Sequence, residues 1–419
     1  MAAIALSEIS HTVTIGSKMK MKDVVMVSAC RTAIGDFLGA LKDVPARNLA
    51  MTAGKAAIER AGIPSGIIDE ICMGQLYTAL QGSLPARQVG MRIGLPHRSG
   101  AVNVNQNCTS AMRALEIACH NIMLGKTEVG LVLGVESMTN APYLIPKARM
   151  GYRMGQGTIE DHMLHDGLID ELVPGHMGVT AENVAEKYRI TRAECDEHAL
   201  LSHTRAVQAI DEGRFKREIV PVEIKTKKDI KVFDTDEHPI RNASMETMGQ
   251  LPTVFKKGGV VTAANASGIN DGASAAVIMS KDKAAKLGIK PLMKLINICG
   301  EGVDPVFMGL GPAVAVPKCL KQAGMKFEDI EYWEFHEAFA AQWLGAGRKM
   351  KEDFGIVMDL EKVNHNGSGI ALGHPVGSTG LRIIVTMYYE MERLGLTLGG
   401  ASLCVGGGPA MASLWTREI

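Results

Sequence analysis

The chain has 419 residues, with 45 Lys and Arg against 45 Asp and Glu, so its formal net charge is zero. This balance leaves no electrostatic footprint for nucleic acid or for an anionic membrane surface. Its apolar runs all fall short of the ~20 residues that a membrane span needs. Apolar residues make up 46% and charged residues 21% of the chain, a composition typical of a folded globular protein. We therefore predict a globular protein with neither nucleic-acid nor membrane partners.

Eight cysteines are spread along the chain, and no two of them form a C-x-x-C pair. Zinc-ribbon and thioredoxin motifs are thus absent, and no metal site is predicted. Most of the cysteines lie in apolar stretches, which is typical of buried thiols in a reducing compartment. Residues 1–22 lack the apolar segment of a signal peptide and are poor in Arg. We interpret them as an N-terminal extension of a cytoplasmic protein.

Strand and helix patterns alternate along the first third of the chain. A buried strand is predicted at 23–29 and an amphipathic helix at 48–63, from the spacing of their apolar residues. A strand at 67–76, a helix at 110–125 and a strand at 129–135 follow. Such alternation is typical of parallel α/β units.

The second half of the chain repeats this pattern. Residues 60–74 resemble residues 322–336, at an offset of 262, and each segment carries a glycine six residues before an isoleucine. Residues 108–117 match residues 377–386 at an offset of 269. Two matches in the same order and at nearly one offset indicate a duplication. We therefore predict two similar α/β halves that pack together.

Residues 138–268 break this alternation. The stretch is Met-rich, charged and irregular, and then contains a helix-like segment, TAENVAEKYRI. We interpret it as an insertion into the first half, which would then comprise 23–137 and about 269–290, with the second half at 291–419. A large insertion at the end of a strand commonly helps to bind substrate.

Cys108 is the first candidate for chemistry. It lies in VNVNQNCTSAMRAL, at the junction of a predicted strand and a predicted helix. The start of a helix supplies partial positive charge and free N–H groups, and both stabilise a thiolate. Cys108 is therefore a candidate nucleophile; the alternative is a buried structural cysteine.

Two glycine-rich motifs in the second half contain further candidates. His374 lies in GSGIALGHPVGSTG, where glycine allows close backbone approach and Pro375 fixes the chain, as suits a general base. Cys404 precedes a run of three glycines, whose N–H groups can face a developing oxyanion. The alternatives are a hydrogen-bonded turn histidine and a buried thiol in a tight turn.

His336 lies in EFHEAFAAQ, at the end of a predicted strand and before a predicted helix. A polar cluster there can face a pocket. The alternative is that Glu337 caps the helix and His336 is a surface residue. The phosphate-binding motifs G-x-x-x-x-G-K-[ST] and G-x-G-x-x-G are not found in the contexts they need, which argues against nucleotide chemistry.

Four motifs thus occur in one order: N-x-x-C, H-E-A-F, G-H-P-x-G and C-x-G-G-G. Together they resemble the motifs of the thiolase superfamily, and the likeness extends from Asp23 to Trp415. The resemblance implies an α/β fold with two duplicated βαβαβαββ halves, a layered α-β-α-β-α core and an inserted loop domain at 138–268. It also implies coenzyme A-dependent thiolysis of a 3-oxoacyl-CoA, or the reverse Claisen condensation, through a cysteine acyl-enzyme with ping-pong kinetics.

The resemblance implies a role for each matching residue. Cys108 would be the acylated nucleophile, His374 its activating base, and Cys404 the acid and base at the α-carbon of acetyl-CoA. His336, where many thiolases have Asn, would join His374 in one oxyanion hole, and the N–H groups of Cys108 and Gly406 would form the second. The residues implied to line the coenzyme A tunnel are His176, Met177, Ala266, Ser267, Ala338 and Phe339.

The resemblance also implies that acyl-CoA and coenzyme A are substrates, that no cofactor is tightly bound, and that the protein is a homodimer or homotetramer. The chain departs from the usual motifs at His336, Thr109, Ala111, Ser368, Gly369 and Pro409-Ala410. A specialised thiolase for a bulky or aromatic acyl group, of the benzoylsuccinyl-CoA type with a small accessory subunit, is therefore an alternative. A ketoacyl synthase and a non-catalytic acyl-CoA-binding protein are further alternatives, and both are disfavoured by the set of Cys108, His374 and Cys404.

Overall fold

The computed structural model describes residues 21–173 and 175–419, so nearly all of the predicted N-terminal extension lies outside the described residues. The helices are α1 (Ala46–Ala61), α2 (Pro85–Arg92), α3 (Ser110–Met123), α4 (Met177–Tyr188), α5 (Arg192–Asp211), α6 (Met245–Gly249), α7 (Lys281–Leu287), α8 (Pro312–Ala323), α9 (Ala340–Phe354), α10 (Gly369–Leu372) and α11 (Val376–Leu394). Within the described ranges, none of them is long and apolar enough to cross a bilayer.

The strands are β1 (Val24–Thr32), β2 (Gly35–Asp36), β3 (Glu70–Gly74), β4 (Gly100–Val104), β5 (Val129–Ser137), β6 (Tyr143–Leu144), β7 (Glu160–Asp161), β8 (Ile169–Asp170), β9 (Gly175–His176), β10 (Ile219–Val220), β11 (Val222–Lys225), β12 (Ile230–Phe233), β13 (Asn270–Ser280), β14 (Met293–Gly302), β15 (Tyr332–Phe335), β16 (Leu398–Cys404) and β17 (Pro409–Thr416).

One large sheet carries both halves of the chain, in the order β15-β16-β17-β14-β1-β13-β5-β3-β4. The halves meet at the antiparallel pair of β1 and β14, where Val25 pairs with Lys294 and Met26 with Met293. In each half the outer strands are parallel, because β3 runs parallel to β4 and β5 and β15 runs parallel to β16. The inner strands of each half pair antiparallel.

Alternate residues of the sheet face different cores. In β5, Leu131 and Leu133 pack in an outer core under α1, whereas Val132 packs in a middle core with α3 and α11. In β17, Met411 faces the same middle core, and Ala412 faces a second outer core under α8 and α9. Since successive side chains of a strand point to opposite faces, each half of the sheet is covered by helices on both faces. The two halves share the middle core, so the layers alternate as helix, sheet, helix, sheet and helix. The predicted layered α-β-α-β-α architecture is confirmed.

The duplication has a structural counterpart. Gly62 ends α1 and Gly324 ends α8, both in the left-handed conformation, with φ of 64° and 69°. Each glycine is followed by a short 3₁₀ turn and then by β3 or β15. The halves differ at one strand. The first half has β4, whereas the corresponding segment of the second half contains a 3₁₀ turn at Leu360–Lys362. Only a single bridge between Trp333 and Val363 marks the position of that strand.

The insertion lies between β5 and β13 in the chain and contains α4, α5 and α6 with several short strands. The helix predicted from TAENVAEKYRI is α4. This helix packs against α9, and α5 packs against α9 and α10. The insertion therefore packs against the helix that follows the H-E-A-F motif and against the helix that precedes the G-H-P motif.

A buried group of charges joins the insertion to the sheet. Arg31 of β1 is fully buried, and its guanidinium donates to Glu218 at 2.5 Å and to both carboxylate oxygens of Asp236 at 2.7 and 2.8 Å. Glu218 also accepts a hydrogen bond from the Thr386 hydroxyl of α11 at 3.2 Å. Because a buried charge is tolerated only when it is paired and hydrogen-bonded, these contacts hold the insertion against both β1 and α11.

Candidate active site

A mostly apolar cavity of about 490 Å³ lies where the insertion meets the ends of the strands. Ten of the eleven predicted site residues line it, and the exception is His336. The ten are Cys108, His176, Met177, Ala266, Ser267, Ala338, Phe339, His374, Cys404 and Gly406.

Cys108 lies between β4 and α3, in a turn held by several hydrogen bonds. Asn107, just before it, has φ of 45°, a left-handed conformation that is uncommon for a residue other than glycine. The Ser110 hydroxyl donates to the Asn107 carbonyl at 2.7 Å and accepts from the Gln106 N–H at 2.9 Å. The Asn107 amide donates to the Gly406 carbonyl at 3.3 Å, which connects this turn to the glycine run.

Burial favours the protonated form of the Cys108 thiol and raises its pKa to about 11, whereas the backbone N–H groups of Gly406 and of Cys108 itself act in the opposite direction. These are the two N–H groups that the resemblance implied for the second oxyanion hole. Since the thiolate is the nucleophilic form, Cys108 can act as a nucleophile only if a neighbouring base removes its proton.

The hydrogen bonds of His374 determine which ring nitrogen carries the proton. The Thr379 hydroxyl donates to the Pro375 carbonyl at 3.0 Å, so its oxygen accepts from His374 Nδ1–H at 2.7 Å. Nε2 therefore has the free lone pair, and it has no hydrogen-bond partner among the described residues. Burial, and secondarily the charge of Arg382, lowers the pKa of His374 to about 3. The ring is thus a neutral base whose accepting nitrogen is available to the cavity.

Thr379 was not predicted from the sequence, and its hydroxyl is directly testable. We expect Thr379→Val to lower kcat by about 10- to 100-fold, as for other hydrogen bonds that orient a functional histidine, because the ring loses its Nδ1–H acceptor. Thr379→Ser keeps the hydroxyl and should retain most of the rate. Steady-state kcat and KM of both variants make the comparison, and equal turnover of the Val and Ser variants would contradict this role.

The backbone of His374 is fixed by Asn270, the first residue of β13. Its side-chain oxygen accepts from the His374 N–H at 2.9 Å, and its amide donates to the Gly35 carbonyl at 3.1 Å. A Cβ on Gly373, whose φ is 90°, would lie 2.4 Å from the Asn270 side chain. Glycine is therefore required before the histidine. In the sequence, the role of Asn270 could have been suspected because it is an amide at the start of an apolar strand.

Cys404 is the last residue of β16 and is fully buried. Burial raises its pKa well above the usual range, and a charge on Cys108 would raise it further. The two thiols therefore ionise one at a time. The backbone beyond Cys404 is equally constrained, because a Cβ on Gly406 would lie 2.5 Å from Met177 Cε and 3.0 Å from Asn107 Nδ2.

His336 follows β15 and is fully buried, so the alternative of a surface histidine is wrong. Its ring lies behind the cavity wall, with its centroid 4.1 Å from that of His374. Burial, then His374 and Arg382, lowers its pKa well below the usual range, so the ring is neutral. Both ring nitrogens are without a hydrogen-bond partner in the described part of the chain. A Cβ on Gly369 would lie 2.3 Å from His336 Cε1, which explains the glycine there.

Glu337 does not cap a helix, since α9 begins only at Ala340. Its buried carboxylate accepts hydrogen bonds from the Ser202 hydroxyl at 2.6 Å and from the Asn364 amide at 3.1 Å, and lies 3.3 Å from His198 Nε2. Ser202 belongs to α5 of the insertion. The glutamate of the H-E-A-F motif therefore connects the insertion to the strand end that bears the motif.

Glu136 is another acid near the site, and sequence analysis did not identify it. Its carboxylate accepts from the N–H groups of Leu76, Tyr77 and Gly377 at 2.9, 3.2 and 3.0 Å. Burial raises its pKa to about 8, against the effect of these hydrogen bonds. Because Gly377 lies in the first turn of α11, Glu136 holds the start of that helix against the first half of the chain. In the sequence, Glu136 could have been suspected because it is an acid near the end of the apolar strand VGLVLGVES.

The residues predicted for the coenzyme A tunnel all line the cavity, and aromatic contacts and a backbone hydrogen bond connect several of them. His176 stacks on Phe255 with ring centroids 4.5 Å apart, and Phe255 meets Phe339 edge to face at 6.2 Å. The Ser267 N–H donates to the Ala338 carbonyl at 2.9 Å, so the loop before β13 is joined to the loop before α9. Phe255 belongs to this wall although no motif indicated it.

Comparisons of sequence place the chain among known proteins. Residues 24–282 match the family model of the thiolase N-terminal domain, and residues 289–417 match that of the thiolase C-terminal domain. The chain is 48% identical over 393 residues to an acetyl-CoA acetyltransferase of Syntrophomonas wolfei, covering 93% of this chain and 98% of the relative. An Escherichia coli acetyl-CoA acetyltransferase is 46% identical, covering 95% and 100% of the two chains.

Solved structures agree with these matches. A structure of an acetyl-CoA acetyltransferase from Syntrophomonas wolfei superposes with a TM-score of 0.95 at 66% identity, over 95% of this chain and 100% of that one. Human mitochondrial 3-ketoacyl-CoA thiolase superposes with a TM-score of 0.91 at 37% identity, over 95% and 99%. With both halves matched and the same fold found across the whole described core, this chain belongs to the thiolase family of acyltransferases.

Proposed function

We propose that this thiolase cleaves a 3-oxoacyl-CoA with coenzyme A to give acetyl-CoA and a shortened acyl-CoA, or joins the two products in reverse, through an acyl-enzyme on Cys108. The observation that supports this most is that Cys108, His374, Cys404 and Gly406 all line one apolar cavity. The names of the relatives, acetyl-CoA acetyltransferase and 3-ketoacyl-CoA thiolase, fit the same reaction class. One of the similar human structures is a complex with CoA.

In the first half-reaction the Cys108 sulfur attacks the 3-oxo carbon while His374 Nε2 accepts the thiol proton. The negative charge that develops on the 3-oxo oxygen faces the N–H groups of Cys108 and Gly406. The bond between C2 and C3 then breaks, the acyl group stays on the sulfur, and the enolate of acetyl-CoA leaves. Cys404 gives its proton to the α-carbon of that enolate and becomes a thiolate.

In the second half-reaction coenzyme A enters the same cavity. Its thiol gives a proton to the Cys404 thiolate, and its sulfur attacks the carbonyl of the acyl-enzyme. The Cys108 sulfur leaves and recovers its proton from His374, so both cysteines and the histidine return to their starting states. Two separate thiols are needed because one holds the acyl group while the other moves the proton.

We propose that His336 stabilises the enolate oxygen together with His374, which requires one of its ring nitrogens to reach past the cavity wall when substrate is bound. Its buried ring nitrogens have no partner among the described residues, and because leaving them unpaired is costly, a substrate oxygen or an ordered water is a suitable partner. His336→Ala is expected to lower kcat by about 10², the cost of one oxyanion donor, with little change in the affinity for coenzyme A. His336→Asn should restore part of the rate.

Thermal unfolding of both His336 variants separates this role from simple packing. If the ring only fills space between β15 and α10, His336→Ala should unfold at a lower temperature and yet keep its turnover. Normal kcat in a folded His336→Ala protein would contradict the donor role.

The substrate proposed is a 3-oxoacyl-CoA that releases acetyl-CoA, in line with the names of the relatives. None of the relatives described above supports the benzoylsuccinyl-CoA alternative. A thiolysis assay with acetoacetyl-CoA and longer 3-oxoacyl-CoA esters tests the proposal, with acetyl-CoA quantified as the product. Absence of thiolysis and of Cys108 acylation with every ester would overturn it.

A further inference from the structure

A small packed cluster lies behind the cavity wall next to the nucleophile. We call it the Tyr77 cluster; its buried members are Leu76, Tyr77, Met138, Met163 and Val376. Cys108, Leu168 and Ile269 pack against it. Met138 and Val376 also line the cavity, whereas Tyr77 and Met163 lie one layer further from it. Cys108 is thus in contact with both the cavity and this cluster.

Tyr77 is held in one position within the cluster. It is 2% exposed, its N–H donates to Glu136 at 3.2 Å, and its hydroxyl donates to the Met163 carbonyl at 3.0 Å. The His162 ring meets it edge to face, with centroids 5.3 Å apart. Hydrogen bonds hold Tyr77 at both its backbone N–H and its hydroxyl, and these bonds fix the orientation of the side chain.

Gly167 shows how closely the Tyr77 ring backs the cavity. This glycine lines the cavity within a π-helical turn at Leu164–Leu168. A Cβ on Gly167 would lie 2.0 Å from Tyr77 Oη and 2.7 Å from Cζ. No atom fits between Gly167 and the ring, so the phenol supports the cavity wall directly from behind on this side.

His176 and Ser267, which the family resemblance implies for coenzyme A, line the cavity but do not pack in the Tyr77 cluster. We therefore assign the part of the cavity next to the Tyr77 cluster to the acyl chain. We propose that Tyr77 sets the length of the acyl pocket and restricts the acyl group on Cys108 to short chains. This inference rests on the proposed function, and Tyr77 acts in it as a specificity-determining residue without a part in bond making.

Chain-length profiles of thiolysis test the proposal. The full-length protein is assayed with 3-oxoacyl-CoA esters of four, six, eight and ten carbons, and kcat/KM is compared as a ratio to the four-carbon ester. Wild type should lose about ten-fold or more at ten carbons, in line with what a pocket of fixed length can discriminate. Tyr77→Ala should raise the ten-to-four-carbon ratio at least about ten-fold, because it opens the space behind Gly167.

Two controls separate pocket length from loosened packing. Tyr77→Phe loses the bond to the Met163 carbonyl but keeps the ring, so its profile should match wild type. Phe327→Ala removes a buried ring from the outer core under α8, far from this wall, and should leave the profile unchanged. If Tyr77→Ala fails to fold, Tyr77→Leu shortens the side chain while keeping apolar contact, and should shift the profile in the same direction.

An unchanged ratio in a folded Tyr77→Ala or Tyr77→Leu protein would overturn the role of Tyr77. A wild-type protein that cleaves ten-carbon and four-carbon esters equally well would overturn it too. Peptide mass spectrometry of Cys108 after treatment with acetyl-CoA or octanoyl-CoA distinguishes this failure from failure of the proposed function. A Cys108 that is acylated by both esters alike refutes the length limit only, whereas a Cys108 that is acylated by neither, in a protein without thiolysis, refutes the thiolase reaction itself.

Discussion

Replacement of Cys108 by alanine is expected to abolish thiolysis and acyl-enzyme formation together. In the proposed reaction the sulfur is the atom that forms the new bond, and Cys108 lies just before the start of α3, where free N–H groups stabilise a thiolate. Loss of a covalent nucleophile in other enzymes lowers kcat by roughly 10⁶. Incubation with acyl-CoA followed by peptide mass spectrometry, alongside a thiolysis assay, measures both effects.

Cys119→Ala is the matched control for Cys108→Ala. Cys119 lies in the middle of α3, on the same helix as the nucleophile, and is fully buried in the middle core. It has no free helix end beside it, so the variant should retain nearly full activity after a small loss of stability. An acyl group found on Cys119, or on any cysteine other than Cys108, would show that the nucleophile is misassigned.

Cys404→Ser should separate acylation from proton transfer. A simple thioester such as acetyl-CoA can still acylate Cys108, because that step needs no proton at the α-carbon. The serine hydroxyl is a far poorer acid and base than a thiol, so thiolysis of a 3-oxoacyl-CoA should fall by about 10²–10⁴, the usual contribution of a general acid and base. Exchange of the acetyl-CoA methyl protons with deuterated solvent, followed by NMR, reports the step directly.

Cys299→Ser provides the comparison for Cys404→Ser. Cys299 is a buried thiol of β14, in the outer core of the same half, and it does not line the cavity. Proton exchange should be normal in this variant and lost in Cys404→Ser. Undiminished exchange in Cys404→Ser would remove Cys404 from the acid and base role.

Features that depend on neighbouring residues were predictable from the sequence. Gly62 and Gly324 mark equivalent helix ends because a left-handed residue is needed there and glycine adopts it without strain. Cys108 and Cys404 were recognisable because a helix start and a strand end are encoded within a few residues of each. Local patterns therefore predicted both halves of the fold and the two cysteines, whereas the predicted tunnel residues were implied by the family resemblance.

Features that depend on distant residues were not predictable. The bond from Gly377 to Glu136 spans 241 positions of sequence, and that from His374 to Asn270 spans 104. No periodicity connects such partners, and only the buried polar residue itself gives a signal. The burial of His336 behind His374 was missed for the same reason, because it follows from the packing of α10 onto the strand end.

The charges around Arg31 have a consequence for chimeric thiolases. Glu218 and Asp236, which neutralise Arg31, both come from the insertion at 138–268, whereas Arg31 belongs to the first strand of the sheet. A transplanted insertion without these acids would leave a lone cation in the sheet, at a cost of about 3–5 kcal/mol, a large part of the roughly 5–15 kcal/mol that stabilises a typical domain. An insertion transplanted into this chain would therefore have to supply acids at both positions, or be combined with a neutral residue at position 31.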